Sequence, residues 1–187
     1  PDSLRPTPPQ ALRHVQPNIM RIVTDRLVLR EFLTDDCPAV LRYQSDPRYL
    51  RLSPWTDRTE AAVREFVQQF VDQQAERPRR NFQLAITLPG GEQIGNCGIR
   101  RNRENDWEAD IGYEVAPQYW GQGYATEAAR AIVLFGLQEL GLYRIAAWCN
   151  ADNLASARVL EKVGLQLEGR LRENEYFKGR WWSALLY

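Results

Sequence analysis

The chain has 187 residues, 44% hydrophobic and 26% charged, with Lys+Arg and Asp+Glu both at 24. That size suits one domain with a real core. The zero net charge gives no basic excess for general nucleic-acid binding, and no apolar run reaches the ~20 residues that span a bilayer.

No secretory pattern opens the chain. Cys37, Cys97 and Cys149 are odd in number and far apart, so they read as reduced thiols of a cytoplasmic protein. The only histidine, His14, lies outside the apparent fold, and no metal-ligand set is expected. Residues 1–18 hold five prolines and little apolar bulk. They read as an extended arm, either mobile or packed on a second subunit, which leaves a homodimer open. Residues 19–187 read as the single folded domain.

Ile22 to Leu29 is a β-rich run broken at Thr24-Asp25-Arg26. Asp35-Asp36-Cys37-Pro38 starts a helix, with acidic caps and a proline in the first turn. Asp46-Pro47 ends it, because the residue before proline avoids helical dihedrals. A second helix runs from Arg58 to about Gln74, with Val63, Phe66, Val67, Phe70 and Val71 at helical spacing. The basic cluster Arg77 to Arg80 reads as a solvated loop. Phe82–Ile86 and Ile94–Ile99 form a hairpin around Pro89-Gly90-Gly91-Glu92, where Gly95 and Gly98 mark bends or close approaches. Trp107–Val115 is the next strand.

A turn with Gly121 and Gly123 leads from that strand into a helix ending at Gly141. Glycines there permit unusual dihedrals and close approach of a ligand. The free N–H groups and dipole of the helix N-terminus bind phosphate or pyrophosphate. No Gly-Lys-Ser/Thr follows, and Thr126 stands where a dinucleotide fingerprint needs its third glycine. Ile145–Cys149 is a strand, parallel to the one before the helix because the crossover demands it. Asp152 or Asn153 caps another helix ending at Gly164. Strands at Leu165–Glu168 and Arg180–Tyr187 finish the chain. The order predicts an α/β (α+β) domain with one central, mixed, partly parallel sheet flanked by about four helices.

Gln118-x-x-Gly121-x-Gly123 followed by Ala125 resembles the acyl-CoA pyrophosphate loop of the GCN5-related N-acetyltransferases (GNAT family). Thr24-x-Arg26-Leu27-x-Leu29-Arg30, Asn153-Leu154-Ala155-Ser156 through Leu160 to Gly164-Leu165, Glu168-Gly169 and Tyr176-Phe177-x-Gly179 resemble its RimJ/RimL-like branch. Leu165 stands where phenylalanine is usual, and Ser183 where aspartate is common.

The resemblance implies the family fold, with acetyl-CoA inserted in a V-shaped opening between two strands. It also implies direct acetyl transfer to an amine, either a protein N-terminus or a small molecule. It assigns the pyrophosphate to the backbone of Gly121, Gln122, Gly123, Tyr124, Ala125 and Thr126, and the thioester arm to the strand end at Val115. Asn153 would meet pantetheine as well as cap its helix.

Many relatives place a tyrosine acid at position 160, which is Leu160 here. Ser156 matches the branch's serine near the sulfur, and Glu175 its candidate general base, with Glu114 as a rival. A carboxylate facing an apolar cleft would have the raised pKa that base work needs. Cys149 reads as a small buried hydrophobe. Tyr49 and Trp55 would line the acceptor pocket. Two other readings stay open: an acyl-CoA-binding module without turnover, and an interaction domain in which the glycine loop is only a turn.

Overall fold

The computed structural model describes residues 20–101 and 105–187; the proline-rich arm expected over 1–18 lies outside them. Six strands form the central sheet in sequential order: β1 (Arg21–Val23), β2 (Val28–Glu31), β3 (Asn81–Thr87), β4 (Gln93–Arg101), β5 (Glu108–Val115) and β6 (Arg144–Ala146). All neighbours are antiparallel except β5 and β6, which run parallel across the helical crossover. A second sheet has the order β7 (Trp148–Asn150), β9 (Arg180–Leu186), β8 (Gly169–Phe177).

The expected strand 145–149 is therefore divided. Its first half pairs with β5 and stops at Asp110↔Ala146, while its second half turns away and pairs with β9. Ala147 between them exchanges hydrogen bonds with Tyr187 at 3.0 and 2.8 Å. Beyond Asp110, β5 has no strand on its outer edge, and the gap that opens is the wedge of the molecule.

Five α-helices complete the fold: α1 (Cys37–Gln44), α2 (Pro47–Leu50), α3 (Glu60–Gln73), α4 (Tyr124–Gln138) and α5 (Leu154–Val163). α1 ends just before Asp46-Pro47, as expected, but that dipeptide has a second role. It starts α2, because the Asp46 side chain accepts the Arg48 N–H at 2.9 Å and proline needs no donor at the first position. Residues 165–168 hold no strand; pairing resumes at Gly169. Thr59 caps α3 and Asn153 caps α5 through side-chain oxygens. In the basic cluster, Arg79 is not solvated: it pairs with Glu31 and lies over Phe82.

Strand alternation sorts the core into two layers. Ala109, Ile111 and Val115 of β5 join Ala128 and Ile132 of α4 and Ala157 and Leu160 of α5. On the other face Val40 and Tyr43 of α1, Val63 and Val67 of α3, Phe32 and Ala85 form a second cluster. Glu114 therefore points to the α1–α3 side and Tyr113 to the α4–α5 side.

Candidate active site

The donor side is built from backbone. Gly121 and Gly123 have φ of +76° and +84°, in the left-handed region that glycine enters without strain. Gly123 serves as the N-cap of α4 with no side-chain capping hydrogen bond. Among the described hydrogen bonds, none is donated by the backbone N–H groups of Gly121 to Thr126, and the first helical bond is Glu127 N–H to Gly123 O at 3.0 Å. A Cβ at Gly121 would meet open space. Six amides, a helix N-terminus and a clear approach suit a pyrophosphate.

This loop is braced from the start of the domain. Glu127 accepts from Thr24 Oγ1 at 2.6 Å, from the Arg26 N–H at 2.9 Å and from Arg26 Nε at 2.8 Å. Burial pushes the Glu127 carboxyl up, but these donors outweigh it and hold the pKa below the ordinary value. Arg26 also donates to Gln122 O at 3.0 Å and covers the Tyr124 ring. The Thr24-x-Arg26 spacing thus ties the β1–β2 turn to the glycine loop.

The wedge exposes backbone groups of β5. Ala116 N–H donates to Ile94 O at 2.7 Å, which makes Gly95↔Val115 a pair without mutual hydrogen bonds. By the same alternation Val115 and Tyr113 turn their backbone groups away from β4, into the wedge. The Val115 carbonyl already accepts Trp120 Nε1 at 2.6 Å. Its N–H is the group left for a ligand.

On the far wall, the Asn153 oxygen accepts the Ser156 N–H at 3.1 Å. Ser156 Oγ lies 2.9 Å from Tyr113 Oη, and Tyr113 also donates to Ser156 O at 3.0 Å. Burial raises the Tyr113 phenol well above its ordinary value, so it stays protonated. Cys149 beside Ser156 is buried, and burial likewise pushes its thiol up. Neither change yields a thiolate nucleophile.

The acceptor side is built from side chains. Glu114 Oε2 accepts from Gln44 Nε2 at 2.9 Å, Asn96 Nδ2 at 2.8 Å and Tyr43 Oη at 3.3 Å. Asn96 is itself held by Gln83 at 2.7 Å. Gly98 makes room for this chain, because a Cβ there would stand 2.0 Å from Gln83 Oε1. Tyr43 and Tyr49 are raised far above the usual phenol range, by burial first and then by the Glu114 charge, so both remain donors. Aromatic contacts run outward from Tyr43 through Tyr49 and Trp55 to Phe66.

Glu175, by contrast, is exposed and stands across from Trp182 on the β8–β9 hairpin. The apolar cleft expected around it is not its setting. The turn of that hairpin reaches the acceptor side elsewhere, where Lys178 bonds Leu50 O.

Comparison with known proteins agrees with this geometry. The model of the acetyltransferase (GNAT) domain family matches residues 26–166. The chain belongs to the GNAT family of acetyltransferases. It is 33% identical over 162 residues to the uncharacterised N-acetyltransferase p20 of Bacillus licheniformis, covering 85% of this chain and 89% of that one. A GNAT-family acetyltransferase structure from Bacillus anthracis superposes with a TM-score of 0.78 at 31% identity, over 90% of this chain and 96% of the other. Mycobacterium smegmatis RimJ, solved in complex with CoA-disulfide, superposes at 0.73 and 29% identity, over 86% and 79%. This GNAT protein is thus an N-acetyltransferase similar to the RimJ/RimL-like enzymes.

The sequence left several of its site residues unmarked. Asn96 and Gln83 were visible only as polar residues inside apolar strand runs. Gln44 and Tyr113 carried no signal, since each acts through a neighbour from a distant element. Among the described residues no cluster of His, Cys, Asp and Glu has metal-ligand form, and no helix is long and apolar enough to cross a membrane.

Proposed function

We propose that the amine attacks the acetyl-CoA carbonyl at the mouth of the wedge, with Glu114 as proton acceptor and Ser156, backed by Tyr113, as the hydroxyl that meets the leaving thiolate. The observation that carries this reading is the adjacency of Tyr113 and Glu114 on β5. One points to the Ser156 side of the sheet and the other to the acceptor side, where three donors hold Glu114 Oε2. The nitrogen–carbon bond forms and the carbon–sulfur bond breaks. The ammonium proton passes to the Glu114 carboxylate, directly or through water; the Tyr113 hydroxyl turns its one proton from Ser156 O to Ser156 Oγ, which frees the Ser156 Oγ–H to donate to the sulfur.

The amides of Gly121 to Thr126 would hold the pyrophosphate, the Val115 N–H and the Asn153 carboxamide the pantetheine, and Tyr49 and Trp55 the body of the amine. The acceptor is a primary amine, on a protein N-terminus or a small molecule. Glu175 stays a second reading for the base, since it shares the hairpin whose turn touches the acceptor side. Three buried free cysteines fit a reducing compartment such as the cytoplasm, and the proline-rich arm fits a homodimer contact, which sedimentation would reveal. An amine and peptide panel assayed for CoA release tests the transferase reading. CoA binding without turnover of any acceptor would replace it with a binding module.

A further inference from the structure

Among the described residues Arg58 is one of three half-buried arginines, with Arg79 and Arg101, that keep a buried nitrogen without a hydrogen-bond partner, and of the three it is the one that adjoins the Glu114 cradle, through Gln44. Arg30 is paired with Asp36 and Arg79 with Glu31, while Arg101 donates to Leu140 O near the end of α4. Arg58 has only a neutral partner: its Nε donates to Gln44 Oε1 at 2.9 Å. Among the described residues no carboxylate pairs with it. Its Nη2 is buried without a hydrogen-bond partner. The guanidinium carbon lies 4.1 Å from the Trp55 ring centre and 5.4 Å from that of Phe66. A dry, unpaired guanidinium edge costs free energy unless something arrives to accept from it.

What could arrive is set by the neighbours. Gln44 bridges the two charges, taking a hydrogen bond from Arg58 and giving one to Glu114, each 2.9 Å long. The guanidinium and the carboxylate therefore stand within about 8 Å, two hydrogen bonds and one carboxamide apart. Both also bear on the Tyr43 and Tyr49 hydroxyls. One cation and one anion, set on an aromatic wall, match a ligand with the opposite charges and an apolar body. A doubly charged phosphate would be repelled by Glu114 at this range, whereas a carboxylate matches the planar fork of arginine.

We infer that the acceptor is an amine that also carries a carboxylate a few bonds from its nitrogen, with Arg58 binding the carboxylate while Glu114 faces the amine. This rests on the transferase reading above and narrows its substrate class to amino acids and similar zwitterions. The cation–π contact with Trp55 holds the guanidinium in place. Gln44 couples its position to that of Glu114, so the two ends of the acceptor are placed together.

The test compares phenylalanine with phenethylamine, which share a body and an amine and differ by the carboxylate. CoA release gives kcat/KM for each, in wild type, Arg58→Gln and Arg58→Lys. The wild type should favour phenylalanine about tenfold to a hundredfold, the span of a charge-assisted hydrogen bond. The ratio should fall to near one in Arg58→Gln and recover in part in Arg58→Lys. Intrinsic amine reactivity cancels, because the same pair is measured in each protein. A purely structural Arg58 would lower both substrates together and leave the ratio unchanged, which overturns the inference.

Calorimetry with 3-phenylpropionate, which has the carboxylate and no amine, judges Arg58 without turnover. Binding to the wild type and loss in Arg58→Gln support the assignment; no binding to the wild type overturns it. Turnover of other amines, with an unchanged ratio and no 3-phenylpropionate binding, would retain the transferase and remove Arg58 from it. Absence of turnover across the whole panel would remove the transferase reading instead.

Discussion

The two faces of β5 are made by opposite means. On the α4–α5 face the proposed donor site is mostly backbone: six amides with no described hydrogen bond, two glycines with positive φ, and the N–H of Val115 turned into the wedge. On the α1–α3 face the proposed acceptor site is all side chain: Tyr43 and Gln44 from α1, Asn96 from β4 and Glu114 from β5, with Arg58 just ahead of α3. Backbone sites suit a ligand that never changes, since acetyl-CoA presents the same pyrophosphate and pantetheine every time. Side-chain sites can be re-cut by substitution, which suits the acceptor, the variable partner of the reaction.

If the acceptor face carries the proton chemistry, Glu114→Gln should have the largest effect of any single change. It keeps size and hydrogen bonding but loses basicity, and kcat/KM for the amine at neutral pH should fall by ~10²–10⁴-fold. The loss should shrink as pH rises, because more of the amine is already neutral. A parallel Glu175→Gln variant sharpens the comparison. The half-buried, triply held carboxylate should matter and the exposed one should not, and a pH–rate profile altered only in Glu175→Gln would reverse the assignment.

The donor face breaks next. Gly123→Val forces a β-branched residue into φ near +84°, and Gly121→Val adds bulk where the phosphates approach. CoA affinity should fall by about tenfold or more in each, while circular dichroism shows an intact fold. Unchanged calorimetric affinity in both would return the loop to a plain turn.

A smaller effect is expected where the faces meet. Ser156→Ala and Tyr113→Phe each remove a hydroxyl that supports the thiolate, so kcat should drop about tenfold with little change in acetyl-CoA affinity. The double variant should lose little more than either single one, because the hydroxyls act as a unit. Additive losses would separate Tyr113 from Ser156.

The smallest effect concerns the brace between Thr24, Arg26 and Glu127. The Glu127 carboxyl is held below its ordinary value of 4.5, so its contribution is complete above about pH 5 and is lost as pH falls through the lowered value. The stability gap between wild type and Glu127→Gln, read from urea unfolding, should be constant near neutrality and close below about pH 4. A gap that is unchanged by acid would show that the charge has no part in it.

How much of this was legible in the sequence follows the same division. Backbone features announce themselves locally: Gly121 and Gly123 marked the loop, Asn153 the cap, and the helix after β5 required the parallel β6. Thr24 and Arg26 were readable as a pattern, but their purpose depends on Glu127, about a hundred residues away. The divided strand 144–150 was not legible, because Ile145 to Cys149 is uniformly apolar and nothing marks Ala147 as the point of divergence. The start of α2 was hidden in a proline that usually ends a helix. The cradle around Glu114 had no local signature, since it joins elements about twenty to seventy residues apart, and Glu175 was preferred for its place in a motif rather than for its surroundings.

The claim that the sheet separates donor binding from proton chemistry is tested most directly by titrating CoA into the Glu114→Gln variant and measuring its rate of CoA release from acetyl-CoA and an amine. The account predicts a CoA affinity within about twofold of wild type and a rate at least a hundredfold lower. A loss of CoA affinity parallel to the loss of rate, or a wild-type rate, would contradict it.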